Sequence, residues 1–327
     1  MLEFESEFTG LMKALWQLNK GTSNPYARRE IGKSVTRAVP RFDFERPAGA
    51  AAAATELQRQ GYHVLGSCLD AAALAAVRAQ LENGRLYDSQ SLNYQSELVE
   101  KKLFRLRERP ATVFLANYEF EDVARCAPLL RLACSPRVVA TVEAYLGCTP
   151  TVSAFAVWHS FPGQVDAPAE VFHRDRDDFS FVKLFVYLTD VDEQAGPHEF
   201  IRFSHDADAL QGYFQSTGAR VDLPRLFEGN SRNLSTPDLL ARLGPIVVRT
   251  TGPAGFGFLE DTYGLHRGTR PGATTRLIFS VTYTGLPLRY ANDNDRAYEL
   301  SRRLSFADAG MSEPTALEHY LLRYLLR

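Results

Sequence analysis

The clearest alternation of apolar and polar positions lies in residues 180–189, SFVKLFVYLT. A strand turns successive side chains to opposite faces, so Val182, Leu184, Val186 and Leu188 share one face and Lys183, Phe185 and Tyr187 the other. The aliphatic face suits packing against helices. The mixed face suits the inside of a small barrel that contains a site. Residues 149–161, TPTVSAFAVWHSF, alternate in the same way, and strands are also expected at 197–203, 245–250, 255–260 and 275–284.

Before residue 149 the periodicity is mostly helical. Leu11, Leu15 and Leu18 mark an amphipathic helix near the start, while residues 20–47, rich in Gly, Ser, Asn, Pro and Arg, read as an irregular arm. The Ala-rich patch at 48–54 leads into a helix over about 52–60 that Gly61 ends. GYHVLGSCLD then reads as a short strand and a helix start, with Asp70 capping AAALAAVRAQLENG up to Gly84. Two further helical patterns follow, EDVARCAPLLRLAC and PRVVATVEAYLG, and Pro136 suits a first helical turn. Residues 206–243 form a polar, partly helical insertion between strands. The chain ends in LEHYLLRYLLR, with apolar residues three and four apart.

Helices first, then many strands, then helices is an α+β order with a mostly antiparallel sheet system. The expected organisation is an N-terminal helix and arm (1–47), a catalytic domain (48–290) with 206–243 as a lid-like insertion, and a C-terminal helical extension (291–327). Long insertions of this kind often cover sites.

Composition narrows the function without choosing it. The 327 residues are 45% hydrophobic and 23% charged, with a net charge of -2. That balance lacks the basic footprint of a nucleic-acid binder. There is no apolar run long enough for a membrane span and no basic-then-apolar leader, so a cytoplasmic location is expected. Cys68, Cys126, Cys134 and Cys148 form no CxxC pair and read as reduced, buried thiols.

The candidate chemistry begins at His173-Arg174-Asp175, just before the alternating strand. The period of two puts His173 and Asp175 on one side and Arg174 on the other. A two-His-one-carboxylate iron site needs one more histidine and leaves positions open for chemistry. His159, His198, His205 and His266 are the candidates, with His266 ranked first because it lies at a Gly- and Pro-rich strand end. Ten residues on, Arg276 opens the next strand. A guanidinium pointing into a barrel is costly unless it meets an anion, and its planar fork suits a carboxylate.

His-x-Asp, then YLTDVDEQAGP running on to Ser204-His205, then His266-x-Gly268 with Arg276 beyond, resembles the phytanoyl-CoA dioxygenase family. LQRQGYHVLGSCLD near residue 60 resembles that family's N-terminal strand–helix unit, so the likeness spans about 55–285. It implies a double-stranded β-helix (a jelly-roll or cupin-like barrel), Fe(II) as cofactor, 2-oxoglutarate and O2 as co-substrates, and a small-molecule substrate that is hydroxylated while succinate and CO2 form. His173, Asp175 and His266 match the iron ligands, and Arg276 matches the residue that pairs with the distal carboxylate of 2-oxoglutarate.

Asp175 argues for oxygenation, because related halogenases lack that carboxylate. The chain departs from the family pattern at Arg202-Phe203 before Ser204-His205, and at Gly268, where some members carry a hydroxyl. Thr269 or Ser280 is a candidate for that hydroxyl. His159 and Lys183 are candidate co-substrate contacts, and Trp158, Tyr187, Arg174 and Arg176 candidate substrate contacts. Two other readings remain: a cupin-type metalloenzyme such as an isomerase or a cofactor-independent dioxygenase, and a non-catalytic barrel.

Overall fold

A computed structural model of the chain describes residues 2–89, 102–163, 170–219, 221–228, 237–288 and 304–327. It opens with helices α1 (Leu2–Gly21), α2 (Pro25–Arg37) and α3 (Ala50–Gln60), strand β1 (Tyr62–Ser67) and helix α4 (Ala71–Glu82). Three short strands follow, β2 (Arg85–Asp88), β3 (Phe104–Arg105) and β4 (Leu115–Tyr118), then helices α5 (Phe120–Ala124), α6 (Ala127–Ala133) and α7 (Pro136–Leu146). The main strands are β5 (Thr151–Ser160), β6 (Phe181–Tyr187) and β7 (His198–Ile201). Helices α8 (Ala207–Ser216), α9 (Leu223–Glu228) and α10 (Pro237–Leu243) separate these from β8 (Val247–Thr250), β9 (Phe256–Glu260), β10 (His266–Gly268) and β11 (Arg276–Thr284), and α11 (Ala316–Leu322) comes near the end.

The strands form two antiparallel sheets, one in the order β1-β9-β6-β11-β5-β4-β2-β3 and one in the order β10-β7-β8. Mixed helix with antiparallel sheet is the architecture that the helix-then-strand order implied. The alternation in 180–189 has the expected consequence. Val182, Leu184, Val186 and Leu188 join the large core formed with α4, α6 and α7, whereas Phe185 and Tyr187 face inward. The inner cluster joins Tyr62, Phe258 and Ile278 of the larger sheet to Phe200 of the smaller one, and Tyr187 Oη donates to the Thr250 carbonyl at 2.8 Å.

Several local expectations change. Residues 25–37 are helical, not part of an irregular arm. Asn24 caps them through Tyr26 N and Ala27 N, and Pro25 sits in the first turn. Their buried stripe is Arg28, Gly32 and Thr36, at helical spacing but not apolar, so hydrophobic periodicity did not reveal it. EDVARCAPLLRLAC divides into α5 and α6, because Pro128 belongs in a first turn and not in a helix interior. The last helix stops at Leu322, although Leu325 and Leu326 remain buried. The short strands β2, β3 and β4 at one end of the larger sheet were not anticipated. Expectations for 294–303 and for the middle of the insertion lie outside the described residues.

Candidate metal and co-substrate site

His173 and His266 meet by backbone pairing. His173 N donates to the His266 carbonyl at 3.0 Å and His266 N to the His173 carbonyl at 3.1 Å. This bridge extends β10, which pairs with β7 through His266 opposite Phe200. His266 thus stands in a short strand of its own, not in a turn. Asp175 N donates to the Thr262 carbonyl at 2.9 Å, which brings the carboxylate to the same place.

The ring orientations suit a metal. His173 Nδ1 lies 2.8 Å from the Val171 carbonyl and His266 Nδ1 lies 3.0 Å from the Gly264 carbonyl. Each contact assigns the ring proton to Nδ1 and leaves Nε2 as the ligand atom. Both Nε2 atoms approach Asp175, that of His266 at 3.3 Å from Oδ2 and that of His173 at 3.9 Å from Oδ1. One ligand atom from each residue falls within 4.8 Å of the others. The donor set is the two-His-one-carboxylate trio of non-haem iron sites, so these residues fit an Fe(II) ion.

Electrostatics act differently on the three residues. Burial works against charge on Asp175, but Lys183, His266 and His173 outweigh it and hold the carboxyl well below its usual range. Burial, assisted by the nearby His266, takes His173 down to about 4, which keeps its Nε2 lone pair free. His266 moves the other way because Asp175 overcomes the burial cost.

Arg276 lies on the inner face of β11, opposite Ser160 of β5. It is 5% exposed and no carboxylate among the described residues pairs with it. One guanidinium nitrogen donates to the Gly196 carbonyl, Nη2 donates to Ser160 Oγ at 3.1 Å, and Nε has no partner. Burial lowers its pKa, so the site tolerates the charge at a cost that an anion would offset. Gly196 adopts φ +74° where it offers its carbonyl to Arg276. Gly268 makes room for the same side chain, since a Cβ there would come within 2.9 Å of Nη2. A hydroxyl-bearing residue at 268 would meet that nitrogen, and Ser160 already does.

Lys183 does not reach Arg276. Its Nζ lies 2.7 Å from Asp175 Oδ2 and 2.8 Å from Asp177 Oδ2. His159 is buried on the opposite face of β5, stacked on Phe161 at 4.3 Å, with both ring nitrogens unpartnered. Burial, with Arg109 adding to it, lowers its pKa to about 4. Thr269 Oγ1 donates to the Pro197 carbonyl at 2.6 Å. Ser280 shares the face of Arg276 but lies four residues along β11, about 13 Å at the usual strand rise.

Of the candidate substrate contacts, Trp158 is on the inner face, edge-on to Phe185 at 6.3 Å. Tyr187 is fully buried, its hydroxyl held by the Thr250 carbonyl and by His198 N. Arg174 turns away from the trio. It donates to the carbonyls of Ser204, Tyr263 and Leu226 and lies over Phe227 at 4.1 Å. Arg176 donates to the Phe227 carbonyl at 3.3 Å.

The rival histidines have other partners. His205 Nε2 lies 3.0 Å from the Gln58 carbonyl and anchors the turn after β7. His198 Nε2 lies 2.8 Å from Glu260 Oε2, and its ring stacks on His266 at 5.7 Å. Burial raises Glu260 to about 8. Ser160 and Glu260 were not anticipated. Ser160 shares a strand face with Trp158 and becomes visible only once the pairing of β5 with β11 is known. Glu260 ends an otherwise apolar strand and carries no local signal.

The family model for phytanoyl-CoA dioxygenase (PhyH) matches residues 57–219, about half of the chain, including His173 and Asp175. The chain belongs to the phytanoyl-CoA dioxygenase family. Fe(II) and 2-oxoglutarate are the cofactor and co-substrate that go with this family, and the chain is an enzyme of that type.

No curated protein matches. Similar solved structures include the α-ketoglutarate-dependent epimerase SnoN from nogalamycin biosynthesis, 20% identical with a TM-score of 0.45, over 73% of this chain and 84% of that one. HygX from Streptomyces hygroscopicus, with nickel and 2-oxoglutarate bound, is 15% identical with a TM-score of 0.44, over 71% and 86%. EctD from S. alaskensis is 17% identical with a TM-score of 0.44, over 75% and 80%. Among the described residues no helix is long and apolar enough to cross a membrane.

Proposed function

We propose that the protein is a 2-oxoglutarate-dependent dioxygenase that hydroxylates a small molecule, with His173, Asp175 and His266 as iron ligands and Arg276 as the anchor of the distal carboxylate of 2-oxoglutarate. The observation that carries this reading is a pairing of two features. Three ligand atoms converge within 4.8 Å, and a buried arginine on the inner face of β11 has no carboxylate partner among the described residues. On this reading the two facing sheets are the halves of a double-stranded β-helix.

Bound Fe(II), with 2-oxoglutarate and O2, supplies the power to oxidise an unactivated C–H bond, and the co-substrate leaves as succinate and CO2. The chain's own residues do the rest. The Val171 and Gly264 carbonyls fix the tautomers of His173 and His266. Asp175 supplies the anionic ligand that favours oxygenation over halogenation. Arg276, steadied by Ser160 and Gly196, holds a carboxylate in bidentate fashion. Phe185, Phe258 and Trp158 keep the interior apolar.

Segment 206–243 is the candidate substrate determinant. Its described helices pack through Leu210, Phe214, Leu226 and Phe227 against Phe172 and Phe181, which flank the His173–Asp175 segment. It is also tied to α2, where Tyr26 Oη donates to Asp208 at 3.0 Å.

The test is succinate formation from 2-oxoglutarate with Fe(II) and O2, run against a panel of small molecules. His173→Ala abolishes it on this reading, and normal turnover without iron sinks the idea. Unchanged 2-oxoglutarate affinity in Arg276→Ala would favour a cupin-type enzyme that needs no co-substrate.

A further inference from the structure

We propose that Lys183 is a positioning residue that keeps Asp175 bound to the metal through a single oxygen. The inference rests on the reading of His173, Asp175 and His266 as metal ligands. Lys183 lies on the inner face of β6, opposite Glu260 of β9. Its side chain is 16% exposed, and its ammonium touches Asp175 Oδ2 at 2.7 Å and Asp177 Oδ2 at 2.8 Å. A buried ammonium is costly unless paired, and here two carboxylates share it. Asp175 and Asp177 are two residues apart and present their oxygens to one nitrogen. Asp177 therefore fixes where the nitrogen sits, and the nitrogen fixes which oxygen of Asp175 it occupies.

The two oxygens of Asp175 are thereby made unequal. Oδ2 accepts a charge-assisted hydrogen bond, which draws on the electron density it would give a metal. Both oxygens face the histidines, Oδ2 at 3.3 Å from His266 Nε2 and Oδ1 at 3.9 Å from His173 Nε2, and only Oδ1 carries no lysine contact. A carboxylate free to rotate binds a cation through one oxygen or through both. The second mode occupies one more coordination position. A six-coordinate ion held by three protein donors would leave three positions open for the co-substrates. A bidentate aspartate would remove one of them. Lys183 acts through Asp175, and the co-substrate contact expected of it would require the nitrogen to leave both carboxylates.

Water-proton relaxation of the Mn(II)-loaded protein, without 2-oxoglutarate, tests this by counting waters on the metal. The wild type is expected to hold about three waters. Lys183→Met is expected to hold about two, with relaxivity down by roughly one third, and Lys183→Arg, which keeps a cationic donor, is expected to return it. Equal counts in wild type and Lys183→Met overturn the proposal. So does a wild type that already holds two waters, a result that stands even if Lys183→Met fails to fold. Absence of Mn(II) binding by the wild type would instead overturn the metal reading on which the proposal rests.

Discussion

The two faces of the β5–β11–β6 sheet carry different burdens. Outward, Val157, Leu184, Val186, Phe279 and Val281 pack against helices in one continuous apolar core. Inward, the same strands present Lys183, Arg276 and Ser160 among Phe185, Tyr187 and Ile278. A strand separates these roles by a single residue, so neighbours in sequence belong to different physical problems. The outer face gains stability from burying methyl groups. The inner face spends stability on buried charge, which an iron ion and a dicarboxylate would offset. His159 and Ser160 illustrate the division. The imidazole falls into the core with no hydrogen-bond partner, while the hydroxyl beside it reaches Arg276.

Substitutions that respect this division should separate function from stability. The largest expected effect is on the inner side. His266→Ala removes a proposed metal ligand and should lower 2-oxoglutarate turnover by more than the ~100-fold that loss of an outer-shell partner costs, with the thermal midpoint of the metal-free protein changing little. Near-normal turnover would place the metal elsewhere. On the outer side, Leu184→Ala should cost about 2–5 kcal/mol of stability by opening a cavity, read from denaturant midpoints, while 2-oxoglutarate affinity stays within a fewfold of wild type. A specific loss of co-substrate affinity in a folded Leu184→Ala protein would show that the faces are coupled.

Arg276→Met should weaken 2-oxoglutarate binding by about 1.5–3 kcal/mol, the usual worth of hydrogen bonds to a charged group, measured by calorimetry on the Mn(II) form. Metal affinity should be retained. If metal and co-substrate are lost together, the two halves of the inner face are not separable.

The last effect concerns acid. His159 has its pKa lowered by burial from 6.5 to about 4. Between those values the unfolded chain binds a proton that the folded chain refuses, so stability rises with pH across that window and is lost as pH falls. The slope from this one group is on the order of 1 kcal/mol per pH unit. His159→Leu should flatten the dependence between pH 6.5 and 4 without altering 2-oxoglutarate affinity. An unchanged slope would mean that His159 is hydrated in the folded protein.

Much of this was legible along the chain because strand alternation is strictly local. The period of two separated Val182, Leu184, Val186 and Leu188 from Lys183, Phe185 and Tyr187, and it set Arg174 apart from His173 and Asp175. Helix α2 was not legible. Its buried stripe of Arg28, Gly32 and Thr36 is held by hydrogen bonds and close approach, with Arg28 donating to the carbonyls of Asn19 and Asp178. Hydrophobicity carries no trace of such contacts.

The residue types at the candidate site, their spacing and the family resemblance are properties of the sequence, because ligand chemistry and strand period require nothing beyond it. Which atoms meet is decided by tertiary structure. The sequence does not record that β11 lies between β5 and β6, a placement that turns Ser160 rather than His159 toward Arg276. Nor does it record the convergence that brings Lys183 to Asp175 and Asp177. Those partners lie on different elements, and their distances follow from how the sheets pair and pack.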